Sequence, residues 1–139
     1  MKSIQLNDIQ YRFWIDNLLR ADNAYNVAYS FCIKGSLQVC TLKQSLELLT
    51  KEYEPFHATI QQKDMHPYFF IDNEYSNQFT LRECNEVLSD TEINSIIDQQ
   101  AQIPFHLDQE YPCRFFLLKM PDRSILLTLF HHIVMDGLT

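Results

Sequence analysis

Two neighbouring stretches, "CRFFLLKM" (113–120) and "RSILLTLFHHIVM" (123–135), constrain this fold more than any others. They flank Pro121-Asp122, a turn dipeptide, and read as paired strands. Neither alternates apolar with polar residues, as a strand wetted on one face does. Runs this apolar belong to strands buried on both sides, deep in a sheet. The rest of the chain must therefore supply the layers that pack against that sheet.

The preceding sequence offers those layers. In "LNDIQYRFWIDNLLRADN", Asn7 or Asp8 can cap a helix whose apolar positions Ile9, Phe13, Trp14 and Leu18 form one broad stripe. "NVAYSFCIKG" is rich in aromatic and β-branched residues, closes on Gly35, and reads as a strand. Ser36 to Tyr53 carries Val39, Leu42, Leu46, Leu49 and Tyr53 at helical spacing, and Pro55 ends that helix. "HATIQQKD", a turn at "MHP" and "YFFID" suggest a hairpin, and "FTLREC" suggests a further short strand. Asp90 opens a helix with Ile93, Ile96, Ile97 and Ala101 on its apolar face and Pro104 as its stop. The order helix, strand, helix, several strands, helix, hairpin predicts an α+β fold, a mixed α/β two-layer sandwich with helices packed on a mixed sheet. No repeat or linker divides residues 1–139, so one domain is expected.

Composition narrows the function classes. A net charge of −7, with no basic run, argues against a nucleic-acid surface. Met1 to Phe13 lacks the apolar core of a secretion signal, and the longest apolar stretch, Ile125 to Met135, is too short to span a bilayer. Cys32, Cys40, Cys84 and Cys113 show no CxxC spacing. They read as buried free thiols in a reduced, cytoplasmic setting, with zinc or disulfides the alternative.

The chemistry concentrates in "LFHHIVMDG" (129–137). If the strand continues through the histidines, His132 shares a face with Phe130, Thr128 and Leu126, and His131 shares one with Leu129, Leu127 and Ile125. Only one of the two can then face a given cleft. A neutral imidazole at the end of an apolar strand can take a proton from an incoming nucleophile. Asp136 could orient an imidazole or anchor the turn, and Gly137 could bring a backbone N–H close to a substrate. The residues alone leave three readings open: a hydrogen-bonded core histidine, a general base, and a metal ligand. His57, His66 and His106 lack a comparable context and are expected at the surface or in turns.

"HHIVMDG" resembles the HHxxxDG motif of the condensation domains of nonribosomal peptide synthetases, shared with related CoA-dependent acyltransferases. The likeness runs through the chain. The opening is similar to the family's Gln-x-Arg-x-Trp helix, Tyr-Asn pair and strand ending in Gly, matched by Gln10, Arg12, Trp14, Tyr25, Asn26 and Gly35. "TLKQSLELLTKEYEPFHATI" resembles the second helix and its ending, and "IPFHLDQEYPCRFFLLKM" the Pro-Phe-Asp-Leu segment and following strand. There are departures: His57 stands where the family commonly has arginine, Ala58 where it has threonine, and His106 where it has aspartate. If that arginine pairs with the motif aspartate, Asp136 lacks the partner here.

The resemblance implies a chloramphenicol-acetyltransferase-like fold built of two halves, this chain being the N-terminal half, with the histidine motif in a tunnel between them. It implies that His132 assists attack of an acceptor amine on a donor thioester. Asp136 would be structural, Gly137 would lie beside the reacting carbonyl, and His131 would turn into the core. Both substrates would arrive on phosphopantetheine arms of carrier proteins, with no metal or nucleotide involved. A half-domain of this kind is expected to be inactive alone and prone to self-association. If Met1 is a native start, the domain would open its polypeptide and meet its donor in trans or as a starter acyl group. A CoA-dependent acyltransferase and a non-catalytic carrier-binding module are the alternatives.

Overall fold

The computed structural model describes residues 2–20 and 22–135. β1 (Ser3–Gln5) leads into α1 (Asp8–Arg20), β2 (Asn26–Lys34) and α2 (Val39–Lys51). A 3₁₀ turn (Glu54–His57) precedes the hairpin of β3 (Ala58–Lys63) and β4 (His66–Ile71). β5 (Phe79–Glu83), α3 (Asp90–Ala101), β6 (Cys113–Lys119) and β7 (Arg123–His131) complete the order. The α+β architecture is as expected, with one addition: β1, three residues long, is too short for its periodicity to register in the sequence. No described helix is long and apolar enough to cross a membrane.

Two sheets result. The smaller runs β1-β4-β3 and is antiparallel. The main sheet runs β2-β7-β6-β5, antiparallel except for the parallel β5–β6 pair. The two most apolar strands, β6 and β7, occupy its two inner places. One face of the main sheet, with Phe116, Leu118, Ile125, Leu127 and Leu129, packs on Trp14 of α1, Ile93 and Ile96 of α3 and the small-sheet residues Ile60, Phe69 and Ile71. The opposite face, with Phe115, Leu117, Leu126 and Phe130, is covered by Leu46 of α2.

Local chemistry explains the element ends. Asn7 caps α1, its Oδ1 accepting the Gln10 amide at 2.8 Å, and Gln10 Oε1 accepts the Asn7 amide at 3.0 Å in return. Ser89 and Glu92 form the corresponding capping box on α3. Gly35 ends β2 at φ +83°, a conformation that costs a side-chain-bearing residue about 1 kcal/mol or more. Pro67 sits in central β4, but β1 covers only Tyr68 to Phe70, so the missing N–H lies where β4 has no second neighbour.

Several expectations need correction. The hairpin turns at Asp64 and Met65, both at positive φ (52° and 66°), and His66 and Pro67 already belong to β4. Two consecutive left-handed residues give the twist that a two-residue hairpin requires, without the usual glycine to announce it. α2 is shorter than Ser36 to Tyr53, and its buried residues are Leu46 and Thr50 while Leu49 is exposed. At 3.6 residues per turn the stripe drifts towards i+4, which favours Thr50 over Leu49 beside Leu46. On α1, Trp14 is buried and Phe13 partly so, whereas Ile9 and Leu18 are 66% and 56% exposed. The cysteines are free, but only Cys113 is buried. Cys32 lies on β2, an edge strand, and Cys40 on the solvent side of α2.

Candidate functional site

The histidine pair divides at the end of β7. The strand stops at His131, and His132 begins a turn, so the two rings separate by a change of backbone direction as well as by strand alternation. His131 is 1% exposed. Its Nδ1 accepts the Ile133 amide at 3.0 Å, which leaves the ring proton on Nε2. Phe105 and Tyr25 lie at its edges, with ring centroids 6.1 and 6.0 Å away. Burial, and next the adjoining His132, push its pKa down to about 4. A ring so held is neutral at physiological pH and part of the core.

His132 is only half-buried and lines a cavity of about 250 Å³ with Gln10, Phe13, Tyr53, Val134 and Met135. Its ring stacks on Phe13, centroids 5.1 Å apart and planes 22° apart. Its amide donates to the Tyr25 carbonyl at 2.8 Å. Its Nδ1 is buried and without a hydrogen-bond partner among the described residues. The turn after it is braced from α1, where Gln10 Nε2 donates to the Ile133 carbonyl at 3.3 Å. Gln10 thus serves two ends, closing the cap of α1 through Oε1 and holding the histidine turn through Nε2.

The support continues outward. Phe13 meets Tyr25 edge-on at 4.8 Å, and the Tyr25 hydroxyl donates to Asp16. Asn26 Nδ2 donates to the Ala101 and Ile103 carbonyls, tying the start of β2 to the end of α3. Arg114 lies 3.8 Å over the Phe105 ring and donates to Glu110 and to the carbonyls of Ile103 and Pro104. Phe105, so clamped, packs nearly perpendicular to the His131 ring.

Among the other predicted residues, Asp136 and Gly137 lie outside the described residues. His66 and His106 are exposed, as expected, but His57 is not: it is 5% exposed. The 3₁₀ turn tucks it inside, its Nδ1 bonded to the Asp72 carbonyl at 2.9 Å and its ring stacked 4.3 Å from Tyr75. Nearby, the Tyr111 hydroxyl donates to Asp72 and holds that carboxylate below its ordinary range. Burial, and then the bond to Asp72, push Tyr111 up to about 12. Among the described residues no cluster of three or more His, Cys, Asp or Glu could hold a metal ion.

Phe13 is the site contributor that sequence reasoning placed only in a core stripe. Its place three residues after Gln10, one turn along α1, is the signal that would have assigned it to the side facing the histidine turn.

Comparison with known proteins places this arrangement. The family model described as "Condensation domain" matches residues 1–139. Over 136 residues the chain is 24% identical to bacitracin synthase 1 of Bacillus licheniformis, covering 97% of this chain and 2% of that protein. It is 28% identical over 129 residues to cyclosporin synthetase of Tolypocladium inflatum, covering 92% of this chain and 1% of that one. Among solved structures, the starter condensation domain of rhizomide synthetase superposes with a TM-score of 0.86 at 20% identity, over 99% of this chain and 34% of that one. The first condensation domain of the CDA synthetase gives 0.81 at 17% identity, over 98% and 37%. The chain therefore spans a small part of the curated relatives and about a third of these solved domains.

Proposed function

Because the chain belongs to the condensation domain family, we propose that it forms the histidine-bearing wall of an amide-forming acyl-transfer site, with His132 as the residue that meets the acceptor amine. The observation that carries this reading is the separation of the two histidines. His131 is sealed, neutral and already bonded through Nδ1, whereas His132 lines the cavity. With Nδ1 of His132 buried, Nε2 is the nitrogen left to a bound molecule.

The chemistry follows from that placement. The acceptor amine attacks the carbonyl carbon of a thioester carried on a phosphopantetheine arm, and the carbonyl electrons move to oxygen. Nε2 of His132 takes a hydrogen bond, then the proton, from the attacking nitrogen. Collapse of the tetrahedral species re-forms C=O and expels the thiolate, which takes the proton from His132. The result is an amide and a free thiol, and His132 returns to its starting state. Phe13 and the Tyr25 carbonyl fix the ring and backbone of His132 before substrate arrives, so little reorganisation accompanies the reaction. Carrier-protein domains are the partners this chemistry requires. A cavity of about 250 Å³ takes the reacting ends of two such arms and leaves the arms themselves to further walls.

The test is amide formation from a thioester-loaded donor carrier and an aminoacyl-loaded acceptor carrier. The expected result is no product from this chain alone and product when it is joined to the remainder of a condensation domain. In that joined form His132→Ala is expected to lose roughly 10²- to 10⁴-fold in rate. Unchanged turnover in His132→Ala would sink the assignment of His132.

A further inference from the structure

The backbone on either side of the His132 ring is tied down. Its own amide donates to the Tyr25 carbonyl at 2.8 Å, and the next carbonyl, that of Ile133, accepts from Gln10 Nε2 at 3.3 Å. Phe13 follows Gln10 by one turn of α1, so the side of the helix that holds the turn also supplies the ring stacked on the imidazole. The two planes lie 22° apart with centroids 5.1 Å apart, so the imidazole meets the face of the phenyl ring and not its edge.

Phe13 is itself fixed. Tyr25 meets it in T-shaped packing, with centroids 4.8 Å apart and planes at 75°. The Tyr25 hydroxyl donates to Asp16 and accepts from Arg20 at 3.2 Å, and Arg20 pairs with Asp16 at 3.7 Å. Asp16 and Arg20 stand one and two turns beyond Phe13, so the phenol is clasped to the helix that carries Phe13. Tyr25 thus supplies both the carbonyl that holds His132 and the ring that holds Phe13.

The face of a phenyl ring carries partial negative charge, so it attracts a cation within about 6 Å of its centroid and gains far less from a neutral ring. The imidazole of His132 passes between those two states during the reaction. We propose that Phe13 stabilises the positive charge that His132 acquires in amide formation, through a cation–π contact that strengthens as the proton arrives. The inference rests on the assignment of His132 as the group that meets the amine. Nε2 takes the proton from the attacking nitrogen as the C–N bond forms, and the departing thiolate takes it back as the C–S bond breaks. The ring is cationic only between these events. Phe13 therefore favours the charged intermediate over the bound substrates, and it is this difference that speeds a reaction. It acts through His132 and not on the substrate, as a positioning residue whose π face, beyond its bulk, sets the rate.

Graded fluorination tests this, because each fluorine withdraws charge from the ring face with little change of shape. In the chain joined to the remainder of a condensation domain, Phe13 is replaced by mono-, di- and trifluorophenylalanine. The single-turnover rate of amide formation is then measured between loaded carriers at saturating acceptor carrier. The rate should fall step by step, roughly tenfold across the series. The acceptor concentration giving half the maximal rate and the urea denaturation midpoint should both stay unchanged. Phe13→Leu keeps an apolar side chain without a π face and should lose at least as much rate. A flat series, in a domain where His132→Ala abolishes turnover, would overturn the role of Phe13 and leave that of His132 standing. Turnover that survives His132→Ala would remove both. A loss of stability in step with the loss of rate would also overturn the proposal, by making Phe13 a packing residue alone.

Discussion

The sealed histidine makes a quantitative claim about acid stability. His131 has a folded pKa of about 4 against 6.5 for an unburied imidazole. Between those values the unfolded chain binds a proton that the folded chain refuses, so stability rises with pH across this window. The stabilising difference is complete above about 6.5 and is lost as pH falls towards 4. The full shift is worth roughly 3 kcal/mol, and the part lost between about pH 7 and 5 is roughly 2 kcal/mol. Carboxylates titrate in the same range, so a control is needed. His131→Asn offers one: its amide oxygen can still accept the Ile133 N–H, and it carries no titrating group. Urea unfolding of both proteins at pH 7 and pH 5 gives the comparison. The wild type should lose about 2 kcal/mol more than His131→Asn over that step. Equal losses would refute the neutral, sealed imidazole.

Other consequences are simpler to check. Ser89→Ala removes the acceptor for the Glu92 amide in the α3 capping box and should lower stability by about 1 kcal/mol in chemical denaturation. Met65→Gly relieves a side-chain-bearing residue at φ 66° and should raise stability by about 0.5–1 kcal/mol, visible as a higher denaturation midpoint. With a thiol reagent under native conditions, Cys32 and Cys40 should react quickly. Cys113 should react only on unfolding, since burial both covers it and raises its pKa; rapid labelling of all four thiols would contradict the burial of Cys113 between the main sheet and α2.

What the sequence disclosed follows from which forces act locally. β6 and β7 were legible because unbroken apolarity has few outlets other than a strand buried on both faces. α3 was legible because Pro104 and its isoleucine spacing are local signals. The Asp64–Met65 turn was not, because methionine stands where such a turn usually carries glycine, and the pairing of β3 with β4 holds it there. The burial of His57 was hidden for a similar reason: it depends on Tyr75 and on the Asp72 carbonyl, neither of them near it in the chain. At the site, the motif spacing drew attention to both histidines; strand alternation implied only that the two rings part, and the family resemblance supplied the expectation that His131 turns inward. The bracing of His132 by Phe13 and of its turn by Gln10 is a tertiary matter, set by how α1 crosses the end of β7.

The place of β7 has a kinetic consequence. It is the last of the described strands along the chain, yet it lies between β2 and β6. Until it forms, β2 has no partner among the described strands, and of the main sheet only the parallel β5–β6 pair can exist. Closing the sheet joins Tyr29 to Thr128 across 99 residues, and bracing the histidine turn joins Gln10 to Ile133 across 123. Such distant contacts are slow to find, because the entropy of closing the loop must be met before any bond rewards it. The small hairpin can form early from its own neighbours. A ribosome would thus carry a long, half-assembled chain with a bare aromatic strand until β7 inserts, and that single event would join the described strands of the main sheet and set the histidine turn against α1 together.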